Sequence, residues 1–527
     1  MTEGKGKVRE LPKGWCWLKL GEICQEVETR KPELEPEREF QYIDIASIDN
    51  AIKKIVAPKK YLGKNAPSRV RQVVKTNDIV FSTVRTYLMN IALVPQSLNN
   101  QIASTGFCVI RGIEEVTQKY IFYYTTFYQF INSLNELQRG TSYPAVRDKD
   151  IFGQLIPLCP TIEQNRIVEK IEELFSDLEQ GIENLKKAQK QLKVYRQVVL
   201  KWAFEGKLTE KWRSQIQQEK LDIKTGEALL AQIKAERENR YQQKLAEWGE
   251  TVKIWEKNGK TGKKLTKPQK FKDLSLITKL EFAELPQLPD DWCLERLGNL
   301  AEILGGVAKG RNLEDQETIF LPYLRVANVQ DGYLDLSVIK HIKVLPSELD
   351  KYRLIAGDVL YTEGGDKDKL GRGSVWKQEI KDCIHQNHVF RARLLADLVI
   401  PSFIAYYSQT RTAKDYFFKR AKQTVNLASI NMTILSNFPI PIPSHLEQEE
   451  IVQKIESRLS ICDQLEFTIA ENLQKAEALR QSILKQAFEG KLVPQDPNDE
   501  PSEKLLERIK QEKIKVKKDE QLSIQGI

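Results

Sequence analysis

His385 and His388, three residues apart in the run HQNH, are the pair most readily cast as metal ligands. A zinc site needs three or four such groups, and no further His or Cys cluster lies nearby, so the pair reads as structural. The seven cysteines are scattered without a single CxxC, which points to reduced, mostly buried thiols. Gly-Lys pairs at 63–64, 206–207, 262–263 and 490–491 are not followed by Ser or Thr, and no complete GxxxxGK[ST] phosphate-cradling loop occurs. Gly364-Gly365 and Gly371-x-Gly373 flank a Lys/Asp cluster, EGGDKDKLGRG. Its backbone amides could meet a phosphate, although a surface turn is the simpler reading. There is no glycine-rich strand-turn-helix of a cofactor fold, no Asn/Asp-Pro-Pro-Tyr motif for amino-methylation, no GxSxG elbow and no paired-His metalloprotease motif. The sequence points away from catalysis by this chain.

Charge leaves nucleic acid open without demanding it. The net charge is +8, but residues 251–272 alone hold eight Lys against one Glu, a net +7. The remainder is close to neutral, and the lysine tract reads equally as a solvated linker. At 527 residues, with 41% hydrophobic and 29% charged, the chain should form several globular domains. No apolar run reaches the length of a membrane span, and MTEGKGKVRE has no signal-peptide core, so a cytoplasmic location is expected.

The elements that would position any site are written twice. Leu11-Pro12-Lys13-Gly14-Trp15-Cys16 returns as Leu288-Pro289-Asp290-Asp291-Trp292-Cys293, 277 residues on, and each copy continues to a Leu-Gly step at Leu20 and Leu297. YIDIA at Tyr42 is echoed by YLRVA at Tyr323, and Asp78-Ile79-Val80-Phe81-Ser82 by Asp358-Val359-Leu360-Tyr361-Thr362 at an offset of 280. LIPLCP followed by Glu163-Gln164 parallels IPIP followed by Glu447-Gln448, and AFEGKL at Ala203 recurs unchanged at Ala487, an offset of 284. The offset drifts within the globular part and is fixed in the closing segment, which suggests variable domains on an invariant frame.

Each copy divides alike. Residues 11–160 and 286–443 mix short β-rich runs with helical stretches such as Lys119 to Leu137, giving an α+β domain apiece. A proline-rich exit is expected to break regular structure. A long helix follows in 161–213 and again in 444–495, with Thr161 as N-cap and Gln164 completing a capping box. Ile167, Ile171, Leu174, Leu178, Ile182, Leu185, Leu192 and Val199 form one stripe; Ile451, Ile455, Leu459, Cys462, Leu465, Ile469, Leu473, Ala476, Leu479 and Ile483 form the other. Helices of roughly 60 Å with one apolar stripe need a partner. In a duplicated chain that partner is the other copy, so an antiparallel coiled coil is expected. Residues 214–285 read as a charged insert without a repeat partner, helical over 227–248 and flexible in the lysine tract. Residues 496–527 read as a charged tail with a helix from Lys504 to Lys518.

Two variable domains, each closing with an I-P-x-P exit, an E-Q-x-x-I-V helix start and an A-F-E-G-K-L helix end, resemble the specificity subunits of type I restriction-modification systems. The likeness runs from Leu11 to Pro494 and includes the L-P-x-x-W openings and the DIVFSTVR and STGF segments. It implies two target-recognition domains reading the halves of a split, asymmetric site in double-stranded DNA. The paired helices would act as spacer and as dock for two methyltransferase subunits. Those partners would carry S-adenosylmethionine, and restriction subunits would carry ATP and Mg²⁺; none of these cofactors is expected on this chain. Domains related by pseudo-symmetry should face one side of a duplex about one helical turn apart. A near-neutral reader should bind weakly alone, since phosphate neutralisation supplies most non-specific affinity.

Candidate DNA contacts are polar and basic residues in loops beside the repeated strands. In the first domain these are Ser82, Thr83, Arg85 and Tyr87, with Arg139, Thr141, Ser142, Tyr143 and Arg147 before the exit. In the second they are Thr362, Lys367, Lys369 and Arg372, with Lys422, Gln423, Thr424 and Asn426. Arginine can fork onto guanine and Asn or Gln can pair with adenine, while a phosphate contact is the plainer role for any one of them. The rival reading is a non-catalytic coiled-coil scaffold that joins protein partners without DNA sequence preference. A restriction enzyme fused to its specificity half is another, against which the missing methyltransferase motif speaks.

Overall fold

A computed structural model describes residues 10–219, 224–260, 266–365, 369–423 and 428–511. The chain forms two units, one of residues 1–187 with 469–527 and one of residues 188–468. Two 44-residue helices, Thr161–Phe204 and His445–Phe488, each contribute to both.

The first unit carries a four-stranded sheet in the order Lys59–Leu62, Glu39–Ile43, Gln101–Ser104, Val70–Val74, and a three-stranded sheet in the order Phe107–Ile110, Ile79–Ser82, Ile91–Leu93. The second carries the order Ala301–Gly305, Val389–Leu394, Val359–Thr362, Gly373–Val375, with a three-stranded sheet of Lys340–Val344, Ile319–Leu324 and Ile384–His385. In both, the strand that follows the repeated Asp runs antiparallel beside its neighbour: Ser82 faces Phe107, and Thr362 faces Val389. Ile79–Ser82 and Val359–Thr362 are buried at every position, so they are central strands without a solvent face.

The repeated motifs acquire physical reasons here. The proline-rich exits do not break regular structure: Leu155–Leu158 pairs antiparallel with Cys16–Lys19, and Pro439–Ile442 with Cys293–Arg296. Each is one edge of a two-stranded ladder, where a proline forfeits only an unneeded donor. Trp15 Nε1 donates to Glu163 Oε2 at 3.0 Å, and Trp292 Nε1 to Glu447 Oε2 at 2.9 Å. The neighbouring glutamines span two segments at once. Gln164 donates to Cys159 O and accepts from the Thr117 N–H; Gln448 donates to Pro443 O and accepts from the Ile400 N–H. The Thr161 hydroxyl turns away to the Glu115 carbonyl, so it does not cap its helix; in the second unit Ser444 Oγ accepts from the Glu447 N–H and does.

Each AFEGKL closes under the other copy's domain. Phe488 packs edge-on to Tyr120 and Tyr124 in the first unit, at 5.2 and 4.9 Å, and Phe204 lies 5.1 and 5.0 Å from Phe403 and Tyr407 in the second. Gly206 and Gly490 end the helices at φ 71° and 66°. A Cβ there would meet Pro289 at 2.3 Å or Pro12 at 2.5 Å, so the glycines admit both the left-handed turn and the L-P-x-x-W segment.

The two long helices run antiparallel in both units. In the first, Arg480 pairs with Glu179 and lies over the Phe175 ring, while Ile483, Leu484 and Ala487 share a core with Ile167 and Ile171. In the second, Arg196 pairs with Asp463 and Glu466, and Val199 and Leu200 share a core with Ile451 and Ile455. Leu465 and Leu479 of the expected stripe remain 45% and 51% exposed.

The region 214–285 does have a repeat partner at its start. Gly226-Glu-Ala-Leu-Leu-Ala-Gln-Ile233 matches Ser502-Glu-Lys-Leu-Leu-Glu-Arg-Ile509 in sequence and place. The Gly226 N–H donates to Asp291 O and the Ser502 N–H to Gly14 O, each at 3.0 Å, and Leu229, Ile233, Leu505 and Ile509 are all buried. The helix Gly226–Lys257 then continues beyond this shared part. In the tail, residues 502–511 are helical and 512–527 lie outside the described residues.

Candidate nucleic-acid interface

The two clusters singled out in each domain come together in space. In the first unit, the Thr83 N–H donates to Gly106 O, the Val146 N–H to Thr83 O and the Arg85 N–H to Pro144 O, at 3.0, 2.9 and 2.8 Å. Arg139 and Ala145 exchange two main-chain bonds, which closes a loop with Thr141, Ser142 and Tyr143 exposed at its tip. The second unit repeats the frame: the Glu363 N–H donates to His388 O at 3.0 Å and the Ile430 N–H to Glu363 O at 2.8 Å. Gly364–Gly365, Ala428–Ser429 and Lys422–Gln423 form a small sheet there, so the main chain of Gly364 and Gly365 is engaged in strand pairing.

Not every candidate faces outward. Ser82, Thr83 and Thr362 are buried and serve the frame, donating to Val84 O, Gly106 O and Lys369 O. They continue a strand with no solvent face, which their hydroxyls do not reveal. Tyr87 and Tyr143 are 51% and 71% exposed. The Arg85 guanidinium lies 4.9 Å from the Tyr143 ring centroid and Nη2 donates to Ser142 O. Arg139 and Arg147 are exposed, Arg147 beside Asp150. Lys369, Lys422 and Gln423 are exposed, and Arg372 Nη1 donates to Gln330 Oε1 at 2.6 Å. Lys367, Thr424 and Asn426 lie outside the described residues.

Neighbours that sequence reasoning missed share these surfaces. Asn50 Nδ2 donates to Leu88 O at 3.0 Å and Lys53 Nζ to Met89 O at 2.8 Å, so a distant hairpin holds the turn after Arg85. Burial pushes the Lys53 ammonium down to about 8, against the pull of Glu477. In the second unit His388 Nδ1 meets Glu363 Oε2. His385 is wholly buried with Nδ1 on Val389 O, and burial lowers it to about 4, so its ring is neutral. Nothing local in the sequence signals these contacts, which depend on which strands adjoin.

The type I restriction modification DNA specificity domain matches twice, at residues 12–187 and 289–475. The chain belongs to the type I restriction-modification specificity family. It is 24% identical over 429 residues to the EcoKI specificity subunit of Escherichia coli K12, covering 79% of this chain and 77% of that one. To the Escherichia coli EcoBI specificity subunit it is 23% identical over 436 residues, covering 80% and 76%. A solved structure concerned with complex assembly and conformational transition of the type I system superposes with a TM-score of 0.65 at 28% identity, over 92% of this chain and 100% of that one. The HsdS subunit of Thermoanaerobacter tengcongensis gives 0.51 at 28% identity, over 92% and 99%. Like its relatives this is a specificity subunit, the non-catalytic component of its system. No described helix is long and apolar enough to cross a membrane.

Proposed function

We propose that the chain reads a bipartite, asymmetric DNA site, one half through residues 83–87 and 139–147 and the other through the described residues 363–365, 369–372, 422–423 and 428–429. One observation carries this reading: a single main-chain frame recurs at both loop pairs, while the side chains mounted on it differ. Equal frames suit equivalent seating against a duplex, and different side chains suit different half-sites. The long helices dock two methyltransferase subunits, and restriction subunits join through them. Exposed Val194 and Trp202 on one helix and Ile461 and Phe467 on the other support such a partner surface. S-adenosylmethionine, ATP and Mg²⁺ belong to those partners. The location is cytoplasmic, where the host's DNA lies.

The test is methylome sequencing of a host carrying the chain with and without its neighbouring methyltransferase. A split adenine-methylated motif should appear only when both are present. A motif that persists when this chain is deleted would leave the scaffold reading in its place.

A further inference from the structure

We infer that Arg85 is a preset guanine reader and sets one base pair of the half-site recognised by the first unit. The inference rests on the DNA-reading role proposed above and adds to it a residue, a base and a position. It starts from the backbone. Arg85 sits at φ 49° and ψ 56°, the left-handed region that a side chain with a Cβ avoids. Met89, at the far end of the same short turn, sits at φ 52°.

Such a conformation persists only where the surroundings impose it, and here they do. The Arg85 N–H is bonded to Pro144 O, and the carbonyls of Leu88 and Met89 accept from Asn50 and Lys53. The Thr86 hydroxyl is buried and bonds to Asn135 and Gln138. The side chain is fixed as well, by the Tyr143 ring and the Ser142 carbonyl. The ring covers one side of the guanidinium, Nε is buried and one Nη2 hydrogen is spent on Ser142 O, which leaves the Nη1/Nη2 end as its recognising surface. A forked donor held in one plane matches the O6 and N7 acceptors of guanine in the major groove. A phosphate contact would need neither the fixed plane nor the strained backbone.

The second unit supplies an internal control. At the equivalent place in its frame stands Gly365, paired with Ala428, and no side chain projects. The frame therefore closes without an arginine, and folding alone does not call for one.

Arg85→Gly is accordingly the first variant, because glycine relaxes the left-handed backbone while deleting the fork. The full chain is expressed with its methyltransferase partner, its thermal midpoint is compared with the native chain, and the host methylome is sequenced. The midpoint should hold or rise. One G·C position in one half of the motif should become degenerate, with preference there falling about tenfold or more, while the other half is unchanged. Arg85→Lys keeps the charge without the fork and should relax the same position. Tyr143→Phe should preserve the preference, and Tyr143→Ala should weaken it. An intact motif methylated more slowly at every site would assign Arg85 to phosphate and overturn the inference, as would an unchanged methylome. If the native pair writes no split motif, the wider DNA-reading proposal fails instead.

Discussion

The two units hold the same parts by the same bonds and differ in what they mount on them. Thr83 and Glu363 fill one place in the frame, Gly106 and His388 the place that bonds to it, and Arg85 and Gly365 the tip. The first tip is a stacked cation beside exposed tyrosines; the second is a bare glycine next to a Glu–His pair. The anchors beneath are shared. Asp78 takes the Lys75 N–H and a fork from Arg111, and Asp358 takes the Ile355 N–H and a fork from Arg393. What repeats is what closes the fold; what varies faces outward.

The sharpest way to break that equivalence is to remove the anchors singly. Asp78 and Arg111 expose 3% and 10% of their side chains, whereas Arg393 exposes 27%. Breaking a buried pair on one side strands the other charge, at about 3–5 kcal/mol when water cannot reach it. Asp78→Ala should therefore destabilise the first unit by about 4 kcal/mol. Asp358→Ala should cost the second unit about half that, because the Arg393 guanidinium can turn to solvent. Hydrogen exchange of Ile79–Ser82 and Val359–Thr362 under denaturant measures the two separately. Equal losses would show that exposure of the arginine is irrelevant.

A second contrast lies in the glutamates that receive the tryptophans. Glu447 also pairs with Arg213 and accepts from the Thr209 hydroxyl. Among the described residues no cation makes an ion pair with Glu163: burial raises its carboxyl above the usual range, only partly offset by the Trp15 hydrogen bond and the more distant Arg166, and Asp499 raises it further. Glu447→Gln should cost the second unit about 2–3 kcal/mol by leaving Arg213 without its counter-charge. Glu163→Gln keeps a carbonyl for Trp15 and removes a poorly solvated charge, so at neutral pH it should be neutral or mildly stabilising. Thermal unfolding of the two variants decides this; equal destabilisation would mean that the two helix starts are held alike.

How much of this was legible follows the same division. The doubled E-Q and A-F-E-G-K-L motifs were visible as strings, the long helices followed from their apolar spacing, and antiparallel pairing from the duplication of the chain. Their partners were not, because Trp15 lies 148 residues from Glu163 and only the fold joins them. The match of Gly226–Ile233 to Ser502–Ile509 was hidden by a connection eight residues shorter in the second copy, which moves the offset from 284 to 276. At the candidate site the loop clusters could be picked out beside the repeated strands and before the exit, but that they adjoin was not legible, since it rests on main-chain bonds between distant segments. Nor was the inward turn of Ser82, Thr83 and Thr362, since a hydroxyl at a strand end looks the same whether it faces water or a carbonyl.

The smallest expected difference concerns a fastening that, among the described residues, the second unit alone has. Its opening strand ends in Arg296 where the first ends in Lys19. Arg296 donates to the carbonyls of Ser275, Leu276 and Asn437 and pairs with Glu281 at 3.0 Å, strapping residues 274–281 to the domain. Its hydrogen bonds hold the Glu281 carboxyl at about 2, below the ordinary 4.5 and against the opposing effect of burial. A carboxyl lowered by folding stabilises the folded form above its unfolded pKa, and that contribution is lost as pH falls through the folded value. Exchange protection of 274–281, corrected for intrinsic rates, should hold steady down to pH 4.5 and decline between there and about 2. Glu281→Gln should flatten that decline and weaken the strap at neutral pH, with Cys16–Lys19 in the first unit unaffected. A decline that survives the substitution would assign it to acid unfolding of the unit as a whole, and the strap would then be held without Glu281, by its Ser275 and Leu276 carbonyls on Arg296 and the Leu274 N–H on Asn299.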